Sequence, residues 1–310
     1  MRDLDPHRRP QPPVGTDSAT WAAGPAVPAV GGGPEDADLD IPSPGDRRRA
    51  LIGAEALVAA APEALALVDA LEITLRARAT ADPKTPPAIF SLEGVGSAGA
   101  TLLDQILGHG EVSGLVREAD GATVMVQESV LTGVWRLQRR GTDGMCRGRW
   151  IEVSAVPDAV VRAAATARPA RTVEPEPGSA GLRVAPSLLV EILDRARRYR
   201  PDARTPDARR SNKPNHVIAL TNLPVTAADL ACLRETLGPG PVALHSRGYG
   251  TCDIDATGVA NVWSVRFLNA SGVVILDTLE IGGVPDAARA ASEDFADAAV
   301  RLADIRDAYL

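Results

Sequence analysis

Trp135 and Trp263 stand 128 residues apart, and the segments around them match at that single offset. Val134-Trp135 returns as Val262-Trp263, Gly144 as Gly272, and Glu152 as Glu280. Val156-Pro157-Asp158-Ala159 returns as Val284-Pro285-Asp286-Ala287. Between 126–159 and 254–287, 8 of 34 positions are identical, where roughly two or three would coincide at ordinary residue usage. Upstream the match resumes at an offset of 130, with Leu107-Gly108-x-Gly110-x-Val112 against Leu237-Gly238-x-Gly240-x-Val242. A pattern carried twice predicts one supersecondary unit built twice.

The rest of the chain divides around that repeat. Residues 1–48 are rich in Pro, Gly, Asp and Arg without apolar periodicity, and are expected to form a disordered arm. The first repeat is assigned to 49–168 and the second to 187–310, with a Pro-rich linker at 169–186. Leucines from 57 to 75 recur at helical spacing, interrupted by Pro62. In the second repeat a helix is expected over 187–199 with Ser187 as N-cap, then an exposed loop at 201–215. Thr226 and Asp229 form a capping pair for a short helix ending at Gly238. Four short β segments follow, near 242–246, 252–257, 261–268 and 273–281.

Trp263, Val265 and Phe267 alternate with Ser264 and Arg266, the period of a strand with one buried face. The turn chemistry at 269–272 sets Trp263 opposite Leu279, and the matching hairpin sets Trp135 opposite Ile151. A helix is expected after each Val-Pro-Asp, short in the first copy and long in the second. The fold class is therefore α+β: two tandem repeats, each a small antiparallel four-stranded meander flanked by helices.

Bulk numbers exclude several classes. The net charge of −7 lacks the basic field of a nucleic-acid binder. No apolar run approaches the roughly 18 residues of a membrane-spanning helix, so no direct membrane insertion and a cytoplasmic location are expected. Cys146, Cys232 and Cys252 have no metal-ligand spacing to one another or to histidine, so neither metal nor cofactor is expected.

The segment with most functional character is Arg247-Gly248-Tyr249-Gly250-Thr251-Cys252. Two glycines around a tyrosine allow a tight turn and a close approach, flanked by a cation and a thiol. Arg247, Tyr249 and Cys252, with Arg266, form the expected partner-binding patch; a plain hairpin turn is the competing reading. Trp135 and Trp263 are expected as core anchors. Glu152 and Glu280 are placed on the outer face, pairing with an arginine such as Arg266. No common catalytic constellation is present.

The second repeat resembles a known family. His216-Val217-Ile218-x-Leu220-Thr221-x-Leu223-Pro224, Ser246-Arg247-Gly248-Tyr249-Gly250-x-Cys252, Val262-Trp263-x-Val265-Arg266 and Glu293-Asp294 carry the resemblance, in that order. The first repeat joins it through Gly108-x-Gly110-Glu111-Val112 and Glu128 ahead of Gly133-Val134-Trp135. These motifs are similar to those of the HupH/HyaF/HoxQ family of accessory proteins for maturation of uptake nickel–iron hydrogenases. Asp253 stands where the family usually has arginine, and Ser264 where it has a second tryptophan.

The resemblance implies a non-catalytic chaperone or scaffold for iron–sulfur assembly, with the hydrogenase small subunit precursor and other maturation proteins as partners. Two other classes stay open: a thiol-dependent enzyme or redox factor using Cys252, and a self-associating interaction module.

Overall fold

The computed structural model of the chain describes residues 56–82, 85–168, 182–199, 214–248 and 250–309. The expected arm at 1–48, most of the linker at 169–186, most of the loop at 201–215 and Tyr249 lie outside the described residues.

The first half holds α1 (Pro62–Ala79), β1 (Ala88–Ser91) and α2 (Ser97–Leu107). Strands β2 (Val112–Arg117), β3 (Thr123–Glu128), β4 (Val134–Arg140) and β5 (Cys146–Val153) follow, then α3 (Asp158–Ala165). The second half holds α4 (Ala185–Arg198), β6 (His216–Ala219), a 3-10 turn at Leu220–Asn222 and α5 (Ala227–Leu237). It continues with β7 (Pro239–Ser246), β8 (Thr251–Thr257), β9 (Val262–Leu268) and β10 (Val274–Ile281). A 3-10 turn at Asp286–Ala288 precedes α6 (Ser292–Tyr309). The helical pattern is interrupted at Pro62 as expected: a helical stretch over 56–60 breaks at Ala61, and Pro62 opens α1 at its first turn, where a missing N–H costs nothing.

The molecule is α+β, with all ten strands in one antiparallel sheet ordered β1-β5-β4-β3-β2-β7-β8-β9-β10-β6. The expectation of two small meanders is corrected on two points. Each half adds a fifth strand at the outer edge, and the halves share one sheet. The join is β2 against β7, from Val112↔Ser246 to Val116↔Val242 with Gly114 opposite Leu244. Left apart, β2 and β7 would each present a row of unpaired N–H and C=O groups, and pairing removes both edges at once. The approach is close at the centre: a Cβ on Gly114 would lie 2.4 Å from the Ala243 carbonyl oxygen.

The expected hairpin register is off by one. Leu268 pairs with Val274 near the turn, but a bulge between Val274 and Leu276 shifts the rest, so Trp263 faces Glu280. The first hairpin has its irregularity at the matching place, between Arg139 and Arg140, and Trp135 faces Glu152. One extra residue moves every later side chain to the opposite face. Glu152 and Glu280 are thus not on the outer face. Glu152 is 1% exposed and accepts hydrogen bonds from Ser154 Oγ and the Asp158 amide. Half-buried Glu280 accepts from Asn215 Nδ2 at 2.9 Å. The Arg266 guanidinium turns to Asp253 instead.

Three apolar cores follow from these faces. One side of the sheet carries Trp135, Leu137, Trp263, Val265, Leu244 and Ile254 under α3 and the 3-10 turn at 286–288. On the other side, α1, α2 and α6 cover Val134, Ile151 and Val153, while α4 and α5 cover Ile218, Val262, Leu279 and Ile281. The long helix expected directly after Val284-Pro285-Asp286 is broken there. A single 3-10 turn forms, Ala290 donates its N–H to Ala155 O, and the helix restarts at Ser292. This detour carries α6 out of its own half: Phe295, Ala298, Ala299 and Leu302 complete the core of the first.

The Thr226–Asp229 capping box forms as expected. Ser187 does not cap α4, which starts two residues earlier. Asp229 does that work from a distance, its Oδ1 accepting the N–H groups of Arg183, Val184 and Ala185. Burial pulls its pKa up, but the donors from Ala185, Thr226 and Val184 outweigh it and hold the carboxyl well below the usual range.

Candidate functional site

Strand β8 has the simplest alternation in the chain, and it separates the expected patch into two places. Cys252, Ile254 and Ala256 point into the tryptophan core. Asp253 and Asp255 point to the other side, opposite Arg266 and Ser264 of β9. Cys252 therefore lies under the sheet and Arg266 above it. Burial first, then the Asp253 charge, push the Cys252 thiol up to about 12. A thiol held protonated at neutral pH is a core hydrophobe and a poor nucleophile.

Arg247 is exposed at the start of the β7–β8 turn and donates its N–H to Glu111 O. Gly248 packs against the same Glu111, whose Oε2 would lie 2.2 Å from a Cβ there. Gly250 has φ +103°, a backbone conformation that side chains resist. The two glycines thus fold the turn tightly onto the chain just before β2.

On the opposite side of the sheet lies a cluster of ionisable groups. His245 Nδ1 is 2.8 Å from Asp253 Oδ1, and Arg266 Nη2 donates to Asp253 Oδ2 at 3.1 Å. The same Nη2 reaches Asp255 Oδ2 at a longer 3.8 Å. Arg266 is only 6% exposed, so this is a mostly desolvated arrangement. Burial raises the Asp255 pKa to about 6 against the lowering pull of Arg266. Asp277, beside Arg266 on β10, is also raised by burial, with Arg266 and Arg234 opposing. Three buried polar atoms on these neighbouring positions, Ser264 Oγ, Arg266 Nε and Asp277 Oδ1, have no hydrogen-bond partner among the described residues.

A small open cleft of about 20 Å³ adjoins the cluster, between the end of α5 and strands β7–β9. Asp255 and Ser264 form its inner wall, Gly238–Gly240 one side, and Arg117 of β2 its mouth. Gly240 is required there, since a Cβ would come within 2.3 Å of Thr257 O. Among the described residues no group of three or more His, Cys, Asp or Glu is placed to hold a metal ion.

The family described as HupH hydrogenase expression protein, C-terminal conserved region, matches residues 62–172 and 182–309. The chain belongs to this family. Hydrogenase expression/formation protein HupH of Rhizobium leguminosarum bv. viciae is 42% identical over 72% of this chain and 75% of its own length. Hydrogenase expression/formation protein HoxQ of Azotobacter vinelandii is 39% identical over 80% of this chain and 82% of its own. Hydrogenase-1 operon protein HyaF of Escherichia coli (strain K12) is 32% identical over 66% of this chain and 67% of its own. The matched family residues span both halves of the sheet, including every residue of the cluster and the cleft.

Sequence reasoning singled out Arg247 and Arg266 but missed Asp253, Asp255, Ser264 and Asp277 as a group. The signal was present: aspartates at alternate positions of β8, beside a serine and an arginine at alternate positions of β9. At the offset of 128 the first half has Met125, Gln127, Arg136 and Gln138 instead, so only the second half carries the acidic cluster.

Proposed function

We propose that the chain is a non-catalytic accessory protein in the maturation of an uptake nickel–iron hydrogenase. It acts on the iron–sulfur-containing small subunit precursor before that subunit is complete, in the cytoplasm and together with other maturation proteins. The observation that carries this reading is the family match over both halves of the fold. The names of the three relatives, two hydrogenase expression/formation proteins and a hydrogenase-1 operon protein, support the same role. The buried thiol, pushed up to about 12, weighs against the rival thiol-dependent enzyme. No helix among the described residues is long and apolar enough to cross a membrane.

In this reading the turn at 247–252 meets the partner. Arg247 is exposed there, Tyr249 follows it in sequence between Gly248 and Gly250 as the second contact residue, and Arg266 acts from behind as a positioning group for Asp253. The sheet beneath is held by Trp135 and Trp263, each facing a glutamate at the same register. We also read the halves as two copies of one unit, 49–168 and 187–310, joined by 169–186. The palindromic strand order and the matching bulges support that.

The test is capture of the small-subunit precursor by the full chain, against a folded Arg247→Glu/Tyr249→Ala double variant, in cells whose hydrogenase activity is assayed in parallel. Loss of the gene should abolish mature hydrogenase, and the double variant should capture at least tenfold less precursor. Full hydrogenase activity in the deletion strain rejects the accessory role. Undiminished capture by the double variant rejects the turn as the contact surface.

A further inference from the structure

The two helical layers on one side of the sheet leave its middle open. No residue of β2, β3, β7 or β8 enters the core under α1, α2 and α6 or the core under α4 and α5. An antiparallel sheet with one face in water ordinarily carries polar side chains there. This face departs from that rule at its centre. Leu115 of β2 lies opposite both Met125 of β3 and Ala243 of β7. These half-buried residues form one apolar cross-strand row that belongs to none of the three cores.

The adjoining row is cationic. Thr123 stands opposite Arg117 on one side and Arg140 on the other, and Arg149 of β5 continues the apolar row beyond Gln138. All three arginines are exposed. Neighbouring arginines of the same hairpin each hold a carboxylate: Arg136 holds Asp104, Arg139 holds Glu118 and Asp120, and Arg147 holds Asp143. Arg117, Arg140 and Arg149 form no ion pair among the described residues, and Arg140 only donates to Gln138 Oε1 at 3.4 Å. In a chain of net charge −7, three unpaired cations beside an uncovered apolar row suit a partner that brings carboxylates and apolar groups together.

Spacing narrows the partner. Arg117 and Arg140 sit two strands apart, which places their Cα atoms about 10 Å from one another. Two carboxylates one heptad apart on a helix are separated by about 10.5 Å. Residues midway between them share the same side of that helix. We propose that this open face is a docking surface for an acidic amphipathic helix of a partner polypeptide, its carboxylates meeting Arg117 and Arg140 and its apolar side chains covering Leu115, Met125 and Ala243. A nucleic-acid strand would satisfy the arginines but leave the apolar row uncovered, and the negative field of the chain repels it.

The surface is separate from the turn at 247–252. The Arg247 N–H reaches Glu111, just before β2, whereas Arg117 closes that strand at its other end. The inference therefore goes beyond the accessory role, and failure of either leaves the other standing. Cys146 supplies a local reporter, since it is exposed and stands opposite Arg140. Hydrogen bonding with Gln138 and then Gly148 lowers its pKa, with Arg149 and Arg140 adding to the effect. A carboxylate seated on those arginines both shields the thiol and weakens its thiolate, so alkylation slows.

The full chain is titrated with a blocked, alanine-rich helical peptide carrying glutamates one heptad apart and leucines midway between them. The same peptide with glutamine in place of glutamate is the control. The acidic peptide should saturate the protein in calorimetry and slow iodoacetamide labelling of Cys146 several-fold. Arg117→Ala/Arg140→Ala should weaken binding about tenfold, and Met125→Gln should weaken it less, both with native circular dichroism. Absence of saturation, equal binding of the glutamine peptide, or unchanged Cys146 labelling overturns the proposal. Equal affinity for an oligothymidylate also overturns it, by making the face a general polyanion site. Self-association that the arginine double variant abolishes does so too, by making a second copy the occupant.

Discussion

Glu128 sits between the turn before β4 and the exposed Glu111, buried and accepting the Gly133 N–H at its Oε1. Burial, opposed by the Gly133 and Val112 amides, raises its pKa to about 7. The folded state binds a proton that the unfolded chain releases near 4.5, so stability falls as pH rises between those values. The contribution is on the order of 3 kcal/mol at most. Chemical denaturation at pH 5 and pH 8 should find the wild type less stable at pH 8. Glu128→Gln should remove most of that difference, and an unchanged pH dependence in the variant would contradict this assignment.

The Cys146 and Cys252 thiols divide in the same physical way. Cys146 is exposed, and hydrogen bonding with Gln138 and Gly148 lowers its pKa. Iodoacetamide at pH 8 should label Cys146 at least a hundredfold faster than Cys252 in the native protein. At this scale the sequence was partly legible. Tryptophan anchors could be read from residue type alone. The face on which Cys252, Glu152 and Glu280 would lie depended on register, which residue type does not report.

At the scale of elements, strands were legible because period-2 alternation survives at Trp263-Val265-Phe267 and Cys252-Ile254-Ala256. The bulges were not, since Arg147 and Ile275, the residues left out of the pairing, look like ordinary strand residues. The Thr226–Asp229 box was legible because it is local. Its second task at α4 was not, because Asp229 and Ala185 are 44 residues apart in sequence. Asp229→Ala should cost about 3 kcal/mol in urea denaturation, by leaving helix N–H groups without acceptors. Because the folded-state pKa of Asp229 is depressed, its contribution is present above the ordinary carboxylate range and is lost as pH falls. Gly114→Val should weaken the β2–β7 join by at least 2 kcal/mol, since the added group meets backbone atoms. A stability equal to wild type would show that the seam tolerates separation.

At the scale of the whole molecule, the α+β class was legible but the closure of one sheet was not. No local pattern reveals that two meanders become one sheet, or that α6 leaves its neighbours to seal the first half. The tie is both apolar and ionic: Phe295 and Leu302 enter the core beside α1, and Arg306 pairs with Glu72 and with Asp69 at 3.4 Å. Deleting residues 292–310 should expose that core. Dye binding to apolar surface should rise and the first half should lose its protection from hydrogen exchange, while the α4–α5 core keeps more of its own.

The position of α6 also bears on birth at the ribosome. The amino-terminal half emerges early, yet the helix that closes its interior is translated long after it. Its apolar wall must wait uncovered while about 140 residues are added, a task of roughly seven to thirty seconds at ordinary translation speeds. A protein that assists the assembly of another would itself depend on protection during synthesis.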